Sequence, residues 1–279
     1  MKEWLCDKDN QCKLVHYENI CGHGKEGPIV ISYHPRKEGY KECYIRHVML
    51  CWDKWQRYLH RYLPSITRLI RCVINLNIST EIIRNICDIM ILHHDVGKLS
   101  ENYQKTKNTF YRHEILSAFL LKEYVHDILS DEMQLNTYAS KVVSSLISSA
   151  VYLHHEGLQI SHRHYELRMP TYSYPVHLLS DLNFSMISNW KTIVSEIEKW
   201  ALGKSYEQYF PERNIFKGIE VAEGLSRMIM LIDGDINPLA LRLVVSSILQ
   251  PLMISDNLAA IARGGKPSRF SEFLGGFET

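Results

Sequence analysis

The sequence predicts an all-α protein: a bundle of amphipathic helices with histidines and aspartates gathered at its centre. Three observations carry this. Apolar residues recur at three- and four-residue steps through most of the chain, and no segment alternates with the two-residue period of a strand for any length. The adjacent pair His94 and Asp95 then closes an almost wholly apolar helical run, just before a glycine turn.

The chain has 279 residues and is 46% hydrophobic, enough for one main domain with a substantial core. Its 32 Lys and Arg nearly balance 31 Asp and Glu, so no long-range field holds a polyanion to it. Contact with nucleic acid has to be local or helped by a partner. The opening MKEWLCDKDN lacks the basic and apolar regions of a secretory signal, and no window offers about 18 uninterrupted apolar residues. A soluble, cytoplasmic protein with no membrane contact is expected. Seven cysteines, Cys6, Cys12, Cys21, Cys43, Cys51, Cys72 and Cys87, all fall in the first third and are read as reduced thiols. Cys6, Cys12, Cys21 and His23 form a weaker zinc candidate, since they include no C-x-x-C pair.

Residues 1–43, with CGHGKEGP, read as an irregular or weakly stranded N-terminal arm. From Tyr44 to Leu63 the set Ile45, Val48, Met49, Trp52, Trp55 and Leu59 marks a helix ended by Pro64. Ser79 and Thr80 can cap the next helix, which runs through Ile82, Ile83, Ile86, Cys87, Ile89, Met90, Ile91 and Leu92 and must be central. A third helix begins near Phe110, and a fourth spans about Tyr138 to His155, stopped by Gly157. Residues 156–185 have no clean period and read as a long loop or lid. Helices resume over about 186–202, 212–232 and 238–262, completing a domain of 44–262, and 263–279 form a flexible tail or docking segment.

The words LHHDVGK at 92–98 set a nitrogen ligand beside an anionic oxygen ligand, and a buried carboxylate is costly unless a cation neutralises it. Five further residues, each on a helix or at its end, could complete such a site: His47, His113, His154, His155 and Asp256. Facing helices of a bundle commonly build metal sites in this way. His93 is a rival ligand, and Asp233 and Asp235 rival Asp256, although a turn at Asp233-Gly234 ahead of a helix explains them as well.

In order, the chain shows a lone His47, then His94-Asp95 followed by Gly97-Lys98, then RHEILSA, then His154-His155, then SDNLAA. This pattern, spanning about 45–262, is similar to the HD nuclease of type I CRISPR interference systems, in the form that is a separate protein rather than fused to its helicase. The resemblance implies that His47, His94, Asp95 and Asp256 hold one divalent metal, and that His113, His154 and His155, with Asp95 shared, hold a second. It implies Asp95 and Lys98 as catalytic residues, Lys98 close to a substrate phosphate. It implies single-stranded DNA as substrate, with RNA and either endo- or exonucleolytic attack left open, and as partners a separate helicase and an RNA-guided targeting complex. His93 stands where an apolar residue is commoner, and residues 1–43 and 156–185 match no part of the pattern. Histidine-rich ligation favours Mn²⁺, Ni²⁺, Co²⁺ or Fe²⁺ over Mg²⁺. Interleaved Arg163, His164, Tyr165, Arg168, Tyr172 and Tyr174 suit a strand groove, with Arg163 and Arg168 binding substrate. Two other readings stay open: an HD phosphohydrolase acting on nucleotides or cyclic dinucleotides, and a non-catalytic helical adaptor.

Overall fold

The structure, a computed structural model, describes residues 30–33, 42–105, 113–155, 179, 182–235 and 237–262. Among the described residues there are eight α-helices: α1 Tyr44–Val73, α2 Thr80–His93, α3 Glu101–Lys105, α4 His113–Asp127, α5 Thr137–Leu153, α6 Trp190–Leu202, α7 Gly218–Asp235 and α8 Pro238–Ala262. Two short antiparallel pairs accompany them, β1 Ile31–Tyr33 with β2 Glu42–Cys43 and β3 Asn183–Ser185 with β4 Ile215–Lys217. Strands of two or three residues are too short to print an alternating pattern in sequence. The all-α class therefore stands.

α1 is the main departure, running on through Pro64 for a further turn and more. A proline within a helix cannot donate to the carbonyl four residues back, here that of His60. Both residues lie on the exposed side, where water can satisfy that carbonyl. Beyond the ring, Ile66 and Ile70 continue the buried face of Leu59 and Leu63, and their burial keeps the helix going. α7 likewise continues through Asp233 and Asp235 as regular helix, so no turn is made at Asp233-Gly234.

Capping follows the sequence elsewhere. Ser79 accepts from the Ile82 N–H at 3.1 Å, and Asn136 from the Ala139 N–H at 2.8 Å. Gly203, at φ 79°, ends α6 in the left-handed conformation. α2 is buried from Ile86 to His93 and lies at the centre, as its composition requires. α1 packs chiefly on α8 and then on α2, while α4 packs on α5. α8 is long and apolar enough by length and composition to cross a membrane, yet Val244, Ile248, Leu252 and Ala259 are fully buried in the protein core.

Candidate metal centre

One glycine sets up the site. After α2 the chain makes a tight turn over Val96–Leu99 that passes directly against the start of α4. A Cβ at Gly97 would lie 2.2 Å from the His113 carbonyl oxygen, and its N–H donates to Ser117 Oγ at 2.8 Å. Only glycine permits that approach, which brings Asp95 and Lys98 up to His113.

All seven expected residues come together, from α1, the end of α2, the start of α4, the end of α5 and α8. His47 Nε2 lies 3.1 Å from both Asp95 Oδ2 and Asp256 Oδ1, and His94 Nε2 lies 3.5 Å from Asp95 Oδ2. On the other side, Asp95 Oδ1 lies 2.9 Å from His113 Nε2 and 3.6 Å from His154 Nε2. His155 Nε2 faces His113 Nε2 at 3.0 Å. Asp95 thus turns one oxygen to each of two histidine clusters. Among the described residues it alone is placed to serve both.

The ring orientations fit metal ligation. His94 Nδ1 is 2.7 Å from the Ile91 carbonyl oxygen and His154 Nδ1 is 2.5 Å from that of Val151. A carbonyl only accepts, so each Nδ1 carries the proton and each Nε2 presents a lone pair to the site. Those two Nε2 atoms are buried and make no hydrogen bond. Glu42 faces His47 Nδ1 at 3.3 Å and orients that ring in the same sense. Lone pairs aimed inward with nothing to accept are the arrangement a cation completes.

Electrostatics agree. Burial alone would raise the Asp95 pKa, but Lys98 and His94 beside it hold it well below the usual carboxylate range. Burial would likewise raise Asp256, which the neighbouring His47 and His94 instead hold well down. Burial pushes His155 well below the usual imidazole range, helped by His154 and His113, and pushes His113 down as well, helped by Lys98. Burial opposes charge on His94 too, but Asp95 and Asp256 raise it to about 10. The carboxylates of the first cluster thus favour positive charge between them, which a bound cation would supply.

No protein-family model matches the chain. It is 25% identical over 237 residues to the CRISPR-associated endonuclease Cas3-HD of Methanocaldococcus jannaschii, covering 82% of this chain and 90% of that protein. It is 26% identical over 234 residues to the CRISPR-associated endonuclease Cas3-HD of Pyrococcus furiosus, covering 82% and 92%. The chain is a homologue of the Cas3-HD endonucleases. The solved CRISPR-associated Cas3 HD domain protein of M. jannaschii superposes with a TM-score of 0.54 at 24% identity, over 76% of this chain and 95% of that one, and so shares the fold.

Within this HD-type centre the rival residues separate from the ligand set. His93 points away: its Nε2 is 2.8 Å from Glu198 Oε1, and its ring stacks on Tyr124 at 4.6 Å. Lys98 is buried, not solvated, with Nζ 2.5 Å from Asp95 Oδ2 and 3.4 Å from Ser32 Oγ. Burial opposes its charge, yet Asp95 keeps its pKa above the usual lysine range. Arg163, Arg168 and the Cys6, Cys12, Cys21 and His23 group lie outside the described residues, as do the side chains of Asp233 and Asp235. Two participants were not singled out in sequence. Glu42 came from the arm, and Cys51 sits one turn beyond His47 on the same buried face.

Proposed function

We propose that this chain is a metal-dependent nuclease that hydrolyses phosphodiester bonds of single-stranded DNA in CRISPR antiviral defence, in the cytoplasm and with a separate helicase supplying the strand. The nuclease class is supported by its Cas3-HD homologues. The observation that carries the chemistry is Asp95, whose two oxygens face two separate clusters of inward-aimed imidazoles.

His47, His94, Asp95 and Asp256 would hold one divalent cation, and His113, His154, His155 and Asp95 the other. Such a pair supplies an activated water at neutral pH and neutralises charge on the attacking and leaving oxygens. The buried carboxylates keep both positions anionic, while the backbone carbonyls of Ile91 and Val151 fix His94 and His154 in the ligating tautomer. Lys98 stays protonated beside Asp95 and offers a fixed positive charge to a phosphate oxygen. The imidazole-rich set favours Mn²⁺, Ni²⁺, Co²⁺ or Fe²⁺ over Mg²⁺.

Single strands are the favoured substrate because a flexible backbone can bend into a recessed centre, with Arg163 and Arg168 tracking phosphates. A near-zero net charge suits a protein to which a helicase and an RNA-guided complex deliver DNA. Metal-stripped protein is incubated with Mn²⁺ or Mg²⁺ and labelled single-stranded DNA, duplex DNA, RNA and a nucleotide panel. Cutting of single strands that depends on Mn²⁺ is expected. Phosphate release from nucleotides with all strands intact would assign the site to small-molecule hydrolysis instead.

A further inference from the structure

Cys51 is a buried, chemically competent group at the centre that the reading above leaves unused. It follows His47 by one helical turn on α1, so the two side chains emerge on the same face. Its Sγ is fully buried, 3.6 Å from His47 Nε2. The thiol sulfur and ligand atoms of His47, His94 and Asp256 all lie within 4.8 Å of one another. A second observation points the same way, because His94 Nε2 is buried, makes no hydrogen bond and belongs to the same group. The other described cysteines, Cys43, Cys72 and Cys87, belong to neither ligand group.

We infer that Cys51 ligates the first metal as a thiolate, joining His47, His94, Asp95 and Asp256 there and giving the two metal positions different chemistry. The inference rests on the metal-centre reading above and adds a ligand to it. Binding moves the thiol proton to solvent and forms a metal–sulfur bond, with no change of oxidation state. A soft sulfur donor raises affinity for Zn²⁺, Co²⁺ and Fe²⁺ relative to Mn²⁺ and Mg²⁺. The second position, with imidazole and carboxylate alone, lacks that bias. The first site would then fill first and with a thiophilic ion, the second with whatever the cell supplies.

Cobalt tests this without recourse to activity. Metal-free full-length protein, kept reduced, is titrated with Co²⁺ and followed by visible and near-ultraviolet absorption, beside Cys51→Val, Cys51→Ser and Cys87→Ser. The wild type and Cys87→Ser are expected to show a sulfur-to-cobalt charge-transfer band together with the visible ligand-field bands. Cys51→Val and Cys51→Ser are expected to keep the ligand-field bands, lose the charge-transfer band and bind the first cobalt at least about tenfold more weakly. X-ray absorption of the zinc-loaded wild type is expected to show a sulfur neighbour at about 2.3 Å that Cys51→Val lacks. Ligand-field bands with no sulfur signal in the wild type, or a charge-transfer band that survives in Cys51→Val, would overturn the thiolate while leaving the metal centre intact. Failure to bind cobalt at all would overturn both.

Discussion

Single side chains at the centre divide into those that hold charge and those that aim the holders. Glu42 aims His47, and replacing it with glutamine leaves the ring in place but weakens its basicity. Apparent metal affinity is expected to fall about 10- to 100-fold in Glu42→Gln, as isothermal titration with Mn²⁺ would measure. Lys98 is different, because it binds no metal. Lys98→Met is expected to retain its metal and its fold while kcat falls roughly 10²- to 10³-fold, as removal of one charge-stabilising donor usually does. Unchanged turnover in that variant would take Lys98 out of the chemistry. His93 shows why some residues could not be placed from sequence. Its identity as a rival ligand was settled by Glu198, 105 residues away, which no local pattern reveals. Cys51 was legible only as one of seven reduced thiols, since a ligating thiol and a packed one look alike until a histidine one turn earlier is seen to face inward.

At the scale of elements, the sequence placed most helices well because their apolar faces and caps are local signals. Ser79 and the run after it foretold α2, and the Asn136 cap starts α5 within a residue of the expected place. Pro64 misled, because a local breaker rule was outweighed by the buried face continuing through Ile66 and Ile70. The α2–α6 junction carries its own test. Glu198 of α6 accepts from Tyr124 Oη, Ser205 Oγ and the Tyr206 N–H, and pairs with His93. Burial would raise its pKa, but the hydrogen bond and charge of His93 hold it below the ordinary glutamate value of 4.5. A depressed folded-state pKa means that the unfolded chain binds more protons in acid. The stabilisation from Glu198 is therefore full above about pH 4.5 and lost as pH falls through the folded value. Urea denaturation of Glu198→Ala at pH 7 is expected to show a loss of about 3–5 kcal/mol, from the polar partners left buried, and the gap from wild type should narrow in acid. Gly97→Ala is expected to damage the centre itself, because its methyl would collide with the His113 carbonyl. A Gly97→Ala protein with wild-type metal affinity would show that the α2–α4 approach is not needed.

For the whole molecule, the bundle is a scaffold that brings candidate ligands from five helices to one point, and that convergence is long-range. The sequence supplied the candidate set and their order, while distance and orientation came only from packing. Burying Asp95, Asp256 and Lys98 together costs stability that bound metal returns. Mn²⁺ at a hundredfold excess over its Kd is expected to stabilise the fold by about 2.7 kcal/mol for each ion bound, raising Tm in a calorimetric scan, and a chelator should reverse it. The balanced net charge belongs to this scale too, and agrees with a catalytic unit that relies on delivery of its strand.

The central claim is that Asp95 joins two metal positions into one catalytic centre. Equilibrium dialysis against Mn²⁺, with metal counted per chain and single-strand cutting assayed on the same samples, tests it for wild type and Asp95→Ala. Two ions per wild-type chain, with both occupancy and cutting lost in the folded variant, is the expected result. A variant that keeps two ions and still cuts would contradict it.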